Sequence, residues 1–189
     1  NGCIEKFAVK ENVFFTVYEG SFLLGDDLKP YSIVKEQSGK LGFSLYLIKI
    51  PGLLDRPDVY GYPDEQVQFI SFQLAFLDWT LHNAEKPDVI HCHDHHSGLI
   101  PFLMNFSYRY NSLKDIPTVF TIHNGEYQGW MDWKQAALLP AFDPWKVGYL
   151  DWDNAINPMA AAIKCSWKIT TVSPGYLNEL LISSKGLES

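Results

Sequence analysis

Five of the six histidines in the 189-residue chain fall in two short stretches. The first reads His91-Cys92-His93-Asp94-His95-His96, the second His123-Asn124-Gly125-Glu126-Tyr127-Gln128-Gly129. Neutral imidazole and carboxylate are the usual zinc ligands, so a metal site is the first chemistry to weigh. The first stretch is out of register for a His-x-His-x-Asp-His ligand set. Asp94 comes one place early and His95 stands where the aspartate belongs. The Asp94-His95-His96 triplet also lacks the further aspartate motifs of a metal-dependent phosphoesterase. No metal is expected. A second chemistry needs two carboxylic acids, as glycoside hydrolysis does, and Glu126 is the one obvious partner for Asp94. The bland reading of either stretch is a helix cap or a turn. Two such stretches after two successive strands favour a functional reading.

Those stretches must be held by the elements around them. Residues 12 to 50 are β-rich: Val13-Phe14-Phe15-Thr16-Val17-Tyr18 and Leu45-Tyr46-Leu47-Ile48-Lys49-Ile50 are β-branched and aromatic runs. Gly25-Asp26-Asp27 and Ser38-Gly39-Lys40 are turn signals between them. Residues 51 to 63 read as a loop. A helix from Asp64 to about Asn83 is apolar nearly all round, which predicts burial. A short strand at Val89-Ile90 precedes the first stretch, and a helix from about Ser97 to Tyr110 follows it. Pro117 to Ile122 is a strand that leads into the second. Residues 124 to 157 form a long aromatic loop region with short helices. Pro158 to Cys165 reads as helix, Lys168 to Val172 as strand, and Ser173-Pro174 caps a last helix to about Ser183. Strands alternating with helices predict an α/β fold, a parallel sheet with helices on both faces. In such sheets ligands bind beyond the carboxyl ends of the strands, where both histidine stretches are expected.

Composition narrows the partners. Apolar residues make up 47% and charged residues 20%, the balance of a globular chain. The formal charge is −7, which argues against a nucleic-acid partner. No apolar run approaches a membrane span. The chain opens Asn1-Gly2-Cys3 with no signal-peptide pattern. Three cysteines, Cys3, Cys92 and Cys165, stand far apart and form no disulfide framework. A reducing, cytoplasmic setting is expected, and no cofactor.

Four motifs in chain order then point to one family. Pro87-Asp88-Val89-Ile90-His91-Cys92-His93-Asp94 with Ser97-Gly98-Leu99-Ile100-Pro101 resembles the His-x-His-Asp segment of bacterial glycogen synthases and plant starch synthases. Val119-Phe120-Thr121-Ile122-His123-Asn124 with Tyr127-Gln128-Gly129 is similar to their Thr-x-His-Asn-x-x-Tyr-Gln-Gly segment. Asp55-Arg56-Pro57 with Tyr60 resembles their Asp-Arg-Pro loop. Ile169-Thr170-Thr171-Val172-Ser173-Pro174-Gly175-Tyr176 resembles their Thr-Thr-Val-Ser-Pro strand and helix start.

The resemblance implies a place in a GT-B type glycosyltransferase, in which two Rossmann-like domains face each other across a cleft. It implies transfer of glucose from ADP-glucose, or UDP-glucose, to the non-reducing end of an α-1,4-glucan, with retention of configuration. This chain matches part of the N-terminal, acceptor-side domain. By position, Asp94 and His123 match catalytic residues. Asn124, Tyr60, Tyr127 and Gln128 match substrate-binding positions. Tyr127, Trp130, Trp133, Trp145 and Trp152 offer faces for sugars, although core packing is the expectation for each tryptophan singly.

The departures define what is expected to be missing. The family's opening strand with its Lys-x-Gly-Gly-Leu loop has no counterpart, since Gly39-Lys40-Leu41-Gly42 stands in another context. The C-terminal donor domain is absent too. Ala160 and Ala162 replace a Lys and a Gly common in the family. Residues 1–189 are therefore expected to be a piece of the enzyme, inactive alone. Two other readings remain: another nucleotide-sugar glycosyltransferase or phosphorylase of the same build, and a carbohydrate-binding module without chemistry.

Overall fold

The computed structural model describes residues 14–182. Asn1, Gly2, Cys3, Val13 and Ser183, named above, lie outside the described residues. The chain divides into two compact units between Trp79 and Thr80.

In the first unit, β1 (Phe14–Leu24) and β2 (Asp27–Glu36) form an antiparallel hairpin, and β3 (Tyr46–Lys49) pairs antiparallel with β2. Tight turns allow antiparallel pairing without a crossover, and Leu24 opposite Asp27 leaves a two-residue loop. Helix α1 (Glu65–His82) is the buried helix its apolar sequence predicts. Ile70, Leu74, Ala75 and Leu77 are sealed from solvent, as are Phe22, Ile33 and Val34 of the sheet. Asp78 is buried on this helix and accepts a 2.9 Å hydrogen bond from the Tyr31 hydroxyl of β2. Burial, then the Asp78 carboxylate, push the Tyr31 hydroxyl well above the ordinary tyrosine range.

The second unit carries the parallel sheet. Its strands are β4 (Ile90–His93), β5 (Thr118–Ile122) and β8 (Lys168–Thr171), in the order β4-β5-β8. A small hairpin of β6 (Asp151–Trp152) and β7 (Ala155–Ile156) lies in the aromatic region. Two 3-10 turns, Trp133–Leu138 and Pro144–Tyr149, supply the short helices expected there. Helix α2 (Ile100–Phe106) packs on α3 (Pro158–Cys165), and α4 (Pro174–Ile182) follows β8.

Three details differ from the sequence reading. β4 runs on into the histidine stretch, because Ile90 and Cys92 point to the core while His91 and His93 point out. Only Asp94 and its followers lie past the strand end. The single helix expected from Ser97 to Tyr110 is broken into a 3-10 turn (His95–Ser97), α2, and a second 3-10 turn (Asn111–Leu113). The break accommodates α3, for a Cβ on Gly98 would stand 2.4 Å from the Pro158 carbonyl oxygen. The tryptophans are not core residues: none of the six is fully buried, and Trp145 is 90% exposed.

Ala160 and Ala162 are fully buried on α3, where small side chains let the helices approach closely. A lysine could not occupy Ala160 in this packing without burying its charge. Gly98 has an ordinary helical φ of −70°, so space alone demands glycine there. Gly98→Ala is expected to cost about 1–3 kcal/mol by overpacking against backbone. Thermal denaturation followed by circular dichroism checks this, and an unchanged Tm would contradict it.

Candidate active site

Asp94 is the first residue past β4 and His123 the first past β5. Successive parallel strands are expected to be neighbours, with residues just beyond their ends within roughly 10–12 Å at Cα. The strands do pair in parallel, His93 beside Thr121. The two strand ends are then bonded directly. Oδ1 of Asp94 accepts the backbone N–H of His123 at 2.8 Å and that of Asn124 at 3.2 Å. A carboxylate oxygen facing two successive amides is a charge-assisted arrangement.

The backbone of Asp94 is strained to make that contact. Its φ of 51° with ψ of −177° belongs to a region occupied essentially by glycine, at a cost of ~1–3 kcal/mol for other residues. Ser97 holds the strand end in place. Its hydroxyl accepts the His93 N–H at 2.6 Å and donates to the His93 carbonyl at 2.8 Å. The Asp94 N–H donates to the Thr121 carbonyl. The helix-cap reading of Asp94 does not hold, because its side chain makes no cap bond to the turn that follows.

The loop after β5 is tied at each step. Gly125 N–H donates to the Tyr176 hydroxyl on α4 at 2.8 Å, and Glu126 N–H donates to Oδ1 of Asn124 at 3.0 Å. Gln128 uses both ends of its amide within the protein. Its Nε2 donates to the Gly125 carbonyl at 3.0 Å, and its Oε1 accepts from Nδ2 of buried Asn157 at 2.6 Å. These two bonds make the side chain a brace for the loop. Gly129 closes the loop with φ 77°, and a Cβ there would lie 2.8 Å from the His95 ring. His95 is buried under that glycine, its ring 3.9 Å from that of His96.

His123, Asn124, Glu126 and Tyr127 remain exposed, Tyr127 at 64%. Nε2 of His123 lies 2.9 Å from Nδ1 of His93. His91 stacks against His93 with centroids 4.1 Å apart, and its Nε2 lies 2.7 Å from Oγ1 of Thr121. Thr121 in turn meets Oγ1 of Thr170 at 2.6 Å. Partial burial, with His91 and His123 nearby, lowers the His93 pKa below the ordinary histidine value. Among the described residues, no three His, Cys, Asp or Glu side chains converge as metal ligands. Cys92 is buried on the opposite side of β4, and burial pushes its thiol up to about 12, so it is inert as a nucleophile.

Tyr60 belongs to the first unit and is 58% exposed, its ring edge-on to Phe69 at 6.1 Å. The loop that carries it is clamped by Arg56. That guanidinium donates to both oxygens of Asp64 at 2.6 Å and to the Gly52 carbonyl at 2.8 Å. Its hydrogen bonds hold the Asp64 carboxyl below the ordinary carboxylate range.

Sequence reasoning missed His93, Ser97 and Tyr176 as parts of the site. Each stood inside a quoted motif, but only coordinates show which atoms they hold. Tyr176→Phe should leave the buried Gly125 N–H without its acceptor and destabilise the second unit by about 1–3 kcal/mol. Urea denaturation of the variant checks this; an unchanged midpoint would show that the bond contributes nothing.

Comparison with known proteins supplies the family. The family model for the starch synthase catalytic domain matches residues 5–189. A glycogen synthase of Flavobacterium johnsoniae is 53% identical over 180 residues, covering 95% of this chain and 38% of the relative. A glycogen synthase of Streptococcus pneumoniae is 37% identical over 148 residues, covering 77% of this chain and 31% of that protein. The catalytic domain of starch synthase IV from Arabidopsis thaliana, solved with ADP and acarbose bound, has a TM-score of 0.77 at 26% identity. That match covers 92% of this chain and 36% of the solved chain. The chain thus spans less than two-fifths of the length of these relatives, and it belongs to the starch synthase catalytic domain family.

Proposed function

We propose that this chain is the part of the N-terminal, acceptor-side domain of a GT-B type glucosyltransferase that presents Asp94 and His123 to the sugar being transferred. The observation that carries the reading is the Asp94 carboxylate bonded to the His123 and Asn124 amides at adjacent carboxyl ends of parallel strands. Open α/β sheets bind ligands at that edge. Family membership supports glycogen or starch synthesis as the chemistry.

The donor is ADP-glucose and the acceptor an α-1,4-glucan. The ADP and acarbose of the Arabidopsis domain support both assignments, with UDP-glucose the alternative donor. In the reaction, the bond from the anomeric carbon to the diphosphate oxygen breaks, and a bond to the glucan 4-hydroxyl oxygen forms. The hydroxyl proton leaves with the nucleoside diphosphate. Configuration is retained.

Each residue then has a task. Positive charge develops at the anomeric carbon in the transition state, and the Asp94 carboxylate lies on the side that stabilises it. His123 offers a ring nitrogen to a glucose hydroxyl. Asn124 and Tyr127 are exposed on the same loop and line the sugar's approach, and Gln128 braces it. Tyr60 serves the glucan side. No metal or cofactor enters the scheme. The protein acts in the cytoplasm, and the 189 residues alone do not turn over.

The test uses the full-length enzyme that carries this segment. Radiolabelled glucose from ADP-glucose should enter glycogen, and proton NMR of the product should show α-1,4 linkages. His123→Ala and Asp94→Asn should each lower turnover by about 10²-fold or more with the fold retained. Near-normal turnover in either variant would show that its position is structural.

A further inference from the structure

We propose that His93 is a positioning residue for His123: its Nδ1 engages Nε2 of His123 and reserves Nδ1 of His123 for the ligand. The inference rests on the reading of His123 as a sugar-contacting residue and adds how that ring is aimed.

A half-turn of an imidazole about its Cβ–Cγ bond puts Cδ2 where Nδ1 was and Cε1 where Nε2 was, so it turns both nitrogens away from their partners. An exposed histidine on a loop has little to stop that turn. Here the Nδ1 to Nε2 distance of 2.9 Å stops it. The partner is built to hold still. His93 is a strand residue, and Ser97 bonds both its N–H and its carbonyl. The His91 ring covers its other flank at 4.1 Å. His91 is itself anchored to Thr121 at 2.7 Å, and Thr121 to Thr170 at 2.6 Å. The row therefore crosses three strands on one sheet face and ends at His123. Partial burial, with His91 and His123 nearby, lowers the His93 pKa, which favours the neutral ring with one N–H to share. A hydrogen-bonded partner on one ring nitrogen decides what the other presents.

The geometry makes a sharp test, because His93 works through Nδ1. The side-chain amide of asparagine reaches the place of Nδ1; that of glutamine reaches one bond further, toward Nε2. Glutamine is nearer to histidine in volume, so a packing role would favour it. The measurement is steady-state kinetics of His93→Ala, His93→Asn and His93→Gln in the full-length enzyme, with ADP-glucose and glycogen. We expect His93→Ala to lower kcat by about 10- to 100-fold with KM for ADP-glucose little changed, as misaiming a contact residue does. His93→Asn should recover most of the lost kcat, and His93→Gln should resemble alanine. His93 is exposed, so the fold should survive, and circular dichroism confirms it. Near-normal kcat in His93→Ala, or equal behaviour of the asparagine and glutamine variants, would overturn the inference. His123→Ala run alongside separates the two levels. If it retains turnover, the reading of His123 fails; if it is inactive while His93→Ala is normal, only the positioning role fails.

Discussion

One oxygen holds the site together. Oδ1 of Asp94 spans from the end of β4 to two successive amides past the end of β5. The contact demands a backbone conformation that aspartate avoids, with φ at 51°. Strain of that kind persists only where the surroundings over-determine it. Here Ser97 and Thr121 fix the atoms on either side, so the bent residue has no cheaper place to go.

The rest of the second unit can be read as support for that bend. The three-stranded parallel sheet brings the strand ends to one edge. Gly98 lets α3 seat against the turn that follows Asp94. Tyr176 reaches from α4 to fix the third amide of the His123 loop, and Gln128 with Asn157 braces its far side. The exposed groups of the His123 loop are few: one imidazole, one carboxamide, one carboxylate and a tyrosine. Such groups can donate to and accept from hydroxyls. The strained aspartate couples the sheet edge to the loop.

Much of this was legible beforehand. Strands followed by helices of the right length announced the parallel sheet, and chain order alone made the Asp94 and His123 strands neighbours. The motifs carried the family. What stayed hidden has physical reasons. Ile90-His91-Cys92-His93 alternates apolar and polar with period two, yet the polar partners are histidines, and these read as chemistry rather than as strand. Nothing local in the sequence breaks the Ser97 to Tyr110 helix at Gly98, because a glycine's need for space there depends on Pro158, sixty residues away. The tryptophans looked like core because apolar character does not reveal exposure. The bond from Asn157 to Gln128 joins residues that nothing in either neighbourhood connects. In the first unit the β-rich character and the turn signals were legible, but the antiparallel pairing of β1, β2 and β3 and the buried Tyr31–Asp78 bond could not be seen in any segment alone.

The central claim is that the Asp94 carboxylate, and not general packing, holds the two exposed residues of the His123 turn. Amide hydrogen exchange at His123 and Asn124, followed by NMR in the native chain and in Asp94→Ala, tests it most directly. Both residues are exposed, so their amides should exchange freely unless something binds them. The account predicts slow exchange at both amides in the native chain and fast exchange at both in the variant, with the β5 amides unchanged. Fast exchange in the native chain, or protection that survives loss of the carboxylate, would contradict it.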